Sequence, residues 1–506
     1  MTGRRPAARM QQIEVDDPDL EGDARTGSHD NGRPPHGARA HGPSPADGPD
    51  DTGPGGPADD ADQPAARPRS AGRLRRWWWV AAVGVAAVVA TSLVSSARDR
   101  AYVERIGAVP GLVRPLDGAP TEAWRAAGVP AVGGVVASGD TLVLVSETPE
   151  GWLATSHDAA TGEVRWTAVL GPPQRAGFES SAAWCPSDGG DVGPTIVCLV
   201  TRPGVLYSRA AVGEVPMRTS VVTLSASDGS RLGGWDGPAG MVDAARLGDD
   251  LVVGWVDEGR VVVERRRATS GTAVWSYEGT TVLAASSNIV PTVRMDGGVV
   301  VVDDSATTVL DGADGDVLLT GPRFRALQVA SVGDHFATWA SVGGGRMYDN
   351  DGMVLYNVRG LPVRPAVDDG STDDVVVVDD GKSLSAVDAG TGAPRWTSDQ
   401  ALDVRTVVSH RLVVSGLTHY GVVDAADGQE LWSYDVGQQV QWLPISDGSL
   451  VLGPAVDDLG APVLVGLGLQ DGTRFWAVPL PSHVQRVAGV GGRLVVLTPN
   501  ETIVLR

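Results

Sequence analysis

From about residue 130 to the C-terminus, short apolar runs alternate with turn residues. TLVLVS (141–146), TIVCLVT (195–201), VVVV (299–302 and 375–378), LVLG (450–453) and RLVVLT (493–498) are separated by Asp-Gly and Gly-Gly pairs. Strand-length runs bounded by turn signals every 8–12 residues predict an all-β sandwich, barrel or propeller. After residue 97 no apolar stretch holds a helical period for more than about a dozen residues.

A different pattern occupies residues 77–96, twenty consecutive residues without a charge. As a helix rising 1.5 Å per residue this stretch is about 30 Å long, the thickness of a bilayer's hydrocarbon core. Trp77, Trp78 and Trp79 sit at one end, and Arg67, Arg69, Arg73, Arg75 and Arg76 precede it. On the far side Arg98, Arg100 and Arg105 are offset by Asp99 and Glu104. Aromatic anchoring and the positive-inside rule predict a single-pass signal anchor, its N-terminus cytoplasmic and all that follows extracytoplasmic. A cleaved signal peptide would need a leader of about 97 residues against the usual 15–30. Residues 71–97 thus form a basic flank and span. Residues 1–70, with 10 Gly and 11 Pro, hold too few large apolar residues to form a core and predict a disordered acidic tail. Residues 98–118 are expected to be a linker and 119–506 the folded domain.

A repeat selects among the all-β folds. A strand, then Asp-x-x-(Thr/Asp/Ser)-Gly, three residues and Trp recurs as HDAATGEVRW (157–166), AVDAGTGAPRW (386–396), VVDAADGQELW (422–432) and GLQDGTRFW (468–476). ERRRATSGTAVW keeps the Gly and Trp275, and ASDGSRLGGW delays Trp235 by two residues. Two copies replace the Trp with Leu319 and Tyr356. The motif glycines 162, 229, 271, 315, 352, 392, 428 and 472 are spaced by 67, 42, 44, 37, 40, 36 and 44 residues. A period near 40 carrying four short strands is that of a propeller blade. Gly162, Gly392 and Gly428 supply the positive φ of a tight turn. Trp124, Trp166, Trp235, Trp275, Trp396, Trp432 and Trp476 supply large faces for packing between blades.

Ala386, Asp388, Thr391, Gly392 and Trp396 match in full the tryptophan-docking repeat of pyrroloquinoline quinone (PQQ) propellers, and residues 110–506 resemble that family. The resemblance implies a ring closed by an N-terminal outer strand, here DGAPTEAW with Trp124, completing a C-terminal blade. The motif tally read literally is nine blades. The resemblance favours seven or eight, and eight are expected, with a degenerate blade among 276–356. It also covers quinoprotein dehydrogenases, which hold PQQ and calcium through Glu, Asn and Asp, and cofactor-free relatives in outer-membrane assembly and in sensor domains.

Chemistry is sparse. Cys185 and Cys198, 13 apart in the longest gap between motif glycines, predict one disulfide outside the membrane, with two free buried thiols as the alternative. That long loop is a first candidate for partner binding. The adjacent cysteines of many quinoprotein dehydrogenases are absent, and no residue matches their catalytic pattern. His157, His335, His410, His419 and His483 show no metal-ligand spacing, and GxSxG is missing. Asp349-Asn350-Asp351-Gly352 starts like a calcium loop, but Gly360 stands where its Glu belongs. The net charge of −21 disfavours nucleic acid, and residues 98–506 carry 30 basic and 49 acidic residues. The expectation is a membrane-anchored, extracytoplasmic scaffold without catalytic, cofactor or metal residues, binding an envelope protein or small ligand. A PQQ- and calcium-dependent dehydrogenase is the alternative.

Overall fold

The computed structural model describes residues 105–172, 182–187, 190–202, 217–283, 291–340, 342–400, 402–439 and 442–506. The span 77–96 and the acidic tail lie outside these residues. Among the described residues no helix is long and apolar enough to cross a membrane.

The strands pair into nine sheets, eight of four strands and one of five. In chain order the blades are 129–171, 182–236, 243–278, 292–320, 328–358, 361–398, 403–435, 445–479 and 486–505. The ninth is completed by the strand Glu122–Ala127, which pairs antiparallel with Glu501–Leu505. The ring therefore has nine blades, not the eight expected, and neither blade within 276–356 is degenerate. Both blades that lack the Trp keep a full set of strands, because Leu319 and Tyr356 still present an apolar face to the next blade. First strands of neighbouring blades run side by side and form the inner wall.

Burial is concentrated between blades. Val143, Ala154 and Trp166 of blade 1 pack on Ile196, Cys198 and Val222 of blade 2, all nearly or fully buried. Each such Val or Ile contributes about 1.5–3 kcal/mol, so the blades hold together by side-to-side burial of alternating strand residues. Among the described residues several buried polar atoms lack a partner, the Tyr420 hydroxyl among them. Tyr420 is fully buried, its hydroxyl has no partner, and burial pushes its pKa up. Tyr420→Phe is expected to leave stability unchanged or raise it by up to about 1 kcal/mol in denaturant melts, because the lost hydroxyl makes no bond.

Cys185 and Cys198 are joined by a disulfide. They belong to the core of blade 2 rather than to a rim loop: Cys198 lies in the strand Thr195–Arg202, and Cys185 follows the strand Ala182–Trp184 that pairs with it. Much of the extra length before Gly229 falls in 173–181 and 203–216, outside the described residues. Reducing the bridge is expected to cost about 3 kcal/mol, read as a lower melting temperature in reductant that the double serine variant reproduces.

Residues 105–118 lie against the ring. Ile106, Leu112 and Val113 are buried, Leu112 among Val367, Val408 and Val413 of blade 7. The Leu116 amide donates to Asp447 Oδ2 at 3.0 Å, and the Arg114 amide to the Gly492 carbonyl at 2.9 Å.

Candidate binding groove on one rim

An antiparallel four-stranded blade puts two kinds of turn on opposite rims. Turns between first and second strands share one rim with the Gly-bearing turns between third and fourth. Turns between second and third strands share the other with the connections from blade to blade. These are called here the docking rim and the connection rim.

On the docking rim every motif residue has a mechanical place. The indole N–H of Trp124 donates to Ala159 O at 3.1 Å, Trp166 to Ala226 O at 2.9 Å and Trp235 to Ala268 O at 3.1 Å. Trp275 reaches Gly312 O at 3.1 Å, Trp396 Ala425 O at 2.8 Å and Trp432 Leu469 O at 3.2 Å. Each acceptor is the residue just after the third strand of the next blade. Tyr356 uses its hydroxyl for the same bond, to Ala389 O at 2.8 Å. Each ring lies under the next motif glycine: a Cβ on Gly162 would sit 2.5 Å from Trp124, and one on Gly428 2.6 Å from Trp396. Gly162, Gly392 and Gly428 have φ of 75°, 70° and 73°, so the turn needs Gly both for conformation and for space. His157 is a buried part of this packing, stacked on Trp124 at 5.1 Å between centroids.

Trp476 is the exception, its buried Nε1 having no partner. Blade 9 takes its third strand from Glu501–Leu505 and its fourth from Glu122–Ala127, so no turn links them to offer the carbonyl.

Part of the docking rim is neutralised by its own side chains. Arg165 bridges Asp140 and Asp158, Arg395 bridges Asp374 and Asp388, and Arg411 pairs with Asp424. Arg395 and the Thr391 hydroxyl and amide hold the Asp388 carboxyl down to about 2. Arg165 and the Thr161 and Ala160 amides hold Asp158 well below the usual carboxylate range. An unfolded Asp titrates near about 3.9, so this stabilisation is present above that pH and is lost as pH falls through 4 toward 2. Asp388→Asn is expected to flatten the stability profile between pH 4 and 2 and leave it parallel to the parent at pH 7. Asp349 Oδ1 accepts from the amides of Asp351 and Met353, the bonding of a turn cap. Among the described residues no three His, Cys, Asp or Glu converge to hold a metal ion.

The connection rim is built differently. The first strand of blade 6 is only Leu361–Pro362 and that of blade 8 only Ile445–Ser446. Pro362 and Pro365 in one, and Pro444 in the other, lack the N–H a ladder needs, so the inner wall is cut short on either side of blade 7. The chain after Pro365 instead lends Val367–Asp368 to blade 7 as a parallel fifth strand. The shortened walls leave two adjoining cavities of about 690 and 390 Å³ that share Asp379, Gly381, Leu402 and Asp403. Together they form a groove running from Trp339 of blade 5 to Leu417 and Leu443 of blades 7 and 8.

Arg364 and Arg405 line the groove and are already engaged. Arg364 pairs at 2.8 Å with the buried Asp296, which also accepts from Arg294 and the Ser331 amide. Arg405 pairs with Asp403, and burial lowers its guanidinium pKa. Arg405 and Leu443 also line a central cavity of about 450 Å³. Among the described residues its polar side chains are Ser187, Arg405, Thr406, Trp442, Gln485 and Arg486, with no carboxylate. That set does not suit calcium-bound PQQ, because calcium takes six to eight oxygen ligands, carboxylates prominent among them.

Sequence reasoning placed the docking residues but missed the groove. The prolines at 362, 365 and 444 were its available signal, each sitting where an inner strand was due.

No protein-family model matches the chain, and no curated protein matches it. Among solved structures, BamB from Moraxella catarrhalis is 14% identical over 77% of this chain and 98% of its own, with a TM-score of 0.41. Quinohemoprotein alcohol dehydrogenase from Comamonas testosteroni is 10% identical over 76% of each chain, with a TM-score of 0.39. Sqt1 of Saccharomyces cerevisiae is 10% identical over 72% of this chain and 98% of its own, with a TM-score of 0.36. The propeller assignment rests on the chain's own strand pairing.

Proposed function

We propose that the protein is a membrane-anchored, extracytoplasmic propeller that serves as a non-catalytic binding scaffold in the cell envelope. One observation carries the reading: the four most exposed large apolar side chains among the described residues all stand on the connection rim. They are Phe324, Val342, Leu417 and Leu459, with 85%, 75%, 78% and 93% exposure. Exposed apolar groups held on a rigid frame mark interaction surfaces. Phe324 supports this further, since its φ of 59° is a left-handed conformation rare for an aromatic residue. Anchoring would come from residues 77–96, and no cofactor or metal is assigned.

The reading is tested by dye reduction and calorimetry of the purified protein with PQQ and calcium, together with protease accessibility in whole cells. The expected result is no calcium-dependent turnover and no one-to-one heat, with the propeller digested from outside. Dye reduction that requires both PQQ and calcium would restore the dehydrogenase reading. A propeller protected in intact cells and cleaved only after lysis would overturn the localisation.

A further inference from the structure

Resting on the scaffold reading, we propose that the groove over blades 5–8 on the connection rim binds a basic, amphipathic polypeptide segment. The argument is a contrast between the two rims. On the docking rim arginines pair with Asp140, Asp158, Asp374, Asp388 and Asp424. On the connection rim acids come in adjacent pairs: Asp303-Asp304 in blade 4, Asp379-Asp380 in blade 6 and Asp457-Asp458 in blade 8. Among the described residues none of these six is within an ion pair. Their oxygens cap their own turns: Asp380 Oδ1 accepts from the Lys382 and Ser383 amides, and Asp457 Oδ1 from those of Leu459 and Ala461. Capping fixes the carboxylates in place without an ion pair, Lys382 beside Asp380 being the one cation in these three turns.

Between these pairs stand the apolar groups. Leu402, Leu417 and Leu443 line the groove beside Asp379 and Asp403, and Val342 and Leu459 project from the turns of blades 5 and 8. The groove's own cations, Arg364 and Arg405, are taken up by Asp296 and Asp403. An occupant therefore meets apolar contacts flanked by fixed negative charge. A segment with leucine-like side chains on one face and Lys or Arg beside them complements both. A second copy of the chain fits poorly, because a two-fold contact would set the acidic pairs against each other.

The test uses the full chain in zwitterionic nanodiscs, with the signal from empty discs subtracted. Fluorescence anisotropy is measured with a labelled 18-residue Lys/Leu peptide of helical spacing, and with its Glu/Leu counterpart. One-to-one binding of the Lys/Leu peptide is expected, at least tenfold tighter than the Glu/Leu peptide and weakening as salt rises. Leu417→Asp should weaken it at least tenfold. Asp379→Asn with Asp380→Asn should weaken it about fivefold, since Asn keeps the capping oxygen and loses only charge. Val274→Asp, on the outer strand of blade 3, should change nothing. If Leu417→Asp shifts the melting curve, Leu443→Asp replaces it. Equal binding of both peptides, or binding unchanged by the groove variants, overturns the proposal. So does self-association in sedimentation that Leu417→Asp abolishes, which would assign the groove to a second copy. Calcium- and PQQ-dependent turnover would sink the scaffold reading instead, so the two failures read separately.

Discussion

Deleting residues 119–127 is expected to abolish the cooperative unfolding transition of the propeller at 25 °C. The deleted strand pairs with Glu501–Leu505 through five register partners from Glu122↔Leu505 to Ala127↔Glu501. It also carries Trp124, buried at 8% exposure among Ala137, Leu142, Val495 and Val504, and bonded to Ala159 of blade 1. Losing the indole alone costs about 3–5 kcal/mol. The deletion further opens the strand edge at Glu501–Leu505 and removes the outer-strand packing of blade 9 on blade 1. Those losses together are comparable with the whole stability of a folded domain, about 5–15 kcal/mol. Circular dichroism should retain a β signal while near-ultraviolet signal and a sharp thermal transition disappear. A deletion variant melting within a few degrees of the parent would show that blades 1 to 8 hold the ring without the closing strand.

The docking tryptophans are expected to be unequal although their motifs read alike. Trp396→Ala should destabilise by about 3–5 kcal/mol, for it removes a buried ring and the bond to Ala425 O. Trp396→Phe should cost about 1 kcal/mol, the size of one hydrogen bond. Trp476→Phe should cost nothing or stabilise slightly, because the Trp476 N–H is buried without an acceptor. Denaturant melts of the three variants decide this. A loss in Trp476→Phe as large as in Trp396→Phe would mean that the seam between blades 8 and 9 does supply a partner.

Much of the fold was legible because each docking unit is local. Within about ten residues the motif holds the aspartate that caps the turn, the glycine that permits it and the aromatic ring that leaves it. The Asp388–Gly392–Trp396 copy folds as read: Asp388 Oδ1 takes the Thr391 amide at 3.0 Å, and Gly392 has φ 70°. The closing strand at Trp124 was expected from the family resemblance, and the structure pairs it with Glu501–Leu505. Blade number was not, since ring size depends on how many blades pack at a common angle, and the family resemblance favoured a smaller ring than the motif tally of nine. The cysteines show the same limit. Their spacing suggested a loop, whereas strand pairing places them opposite each other inside blade 2.

The sequence by itself determined the all-β class, the blade repeat, and the docking glycines and rings. Each of these depends on residues close in the chain or on a period that repeats along it. Only the tertiary structure decided the ring of nine, the unpartnered Trp476 and the groove. The groove is made by residues as distant as Trp339 and Leu443, brought together because two proline-shortened inner strands flank blade 7. Side chains that meet only through the curvature of the ring leave no spacing in the sequence from which to read them.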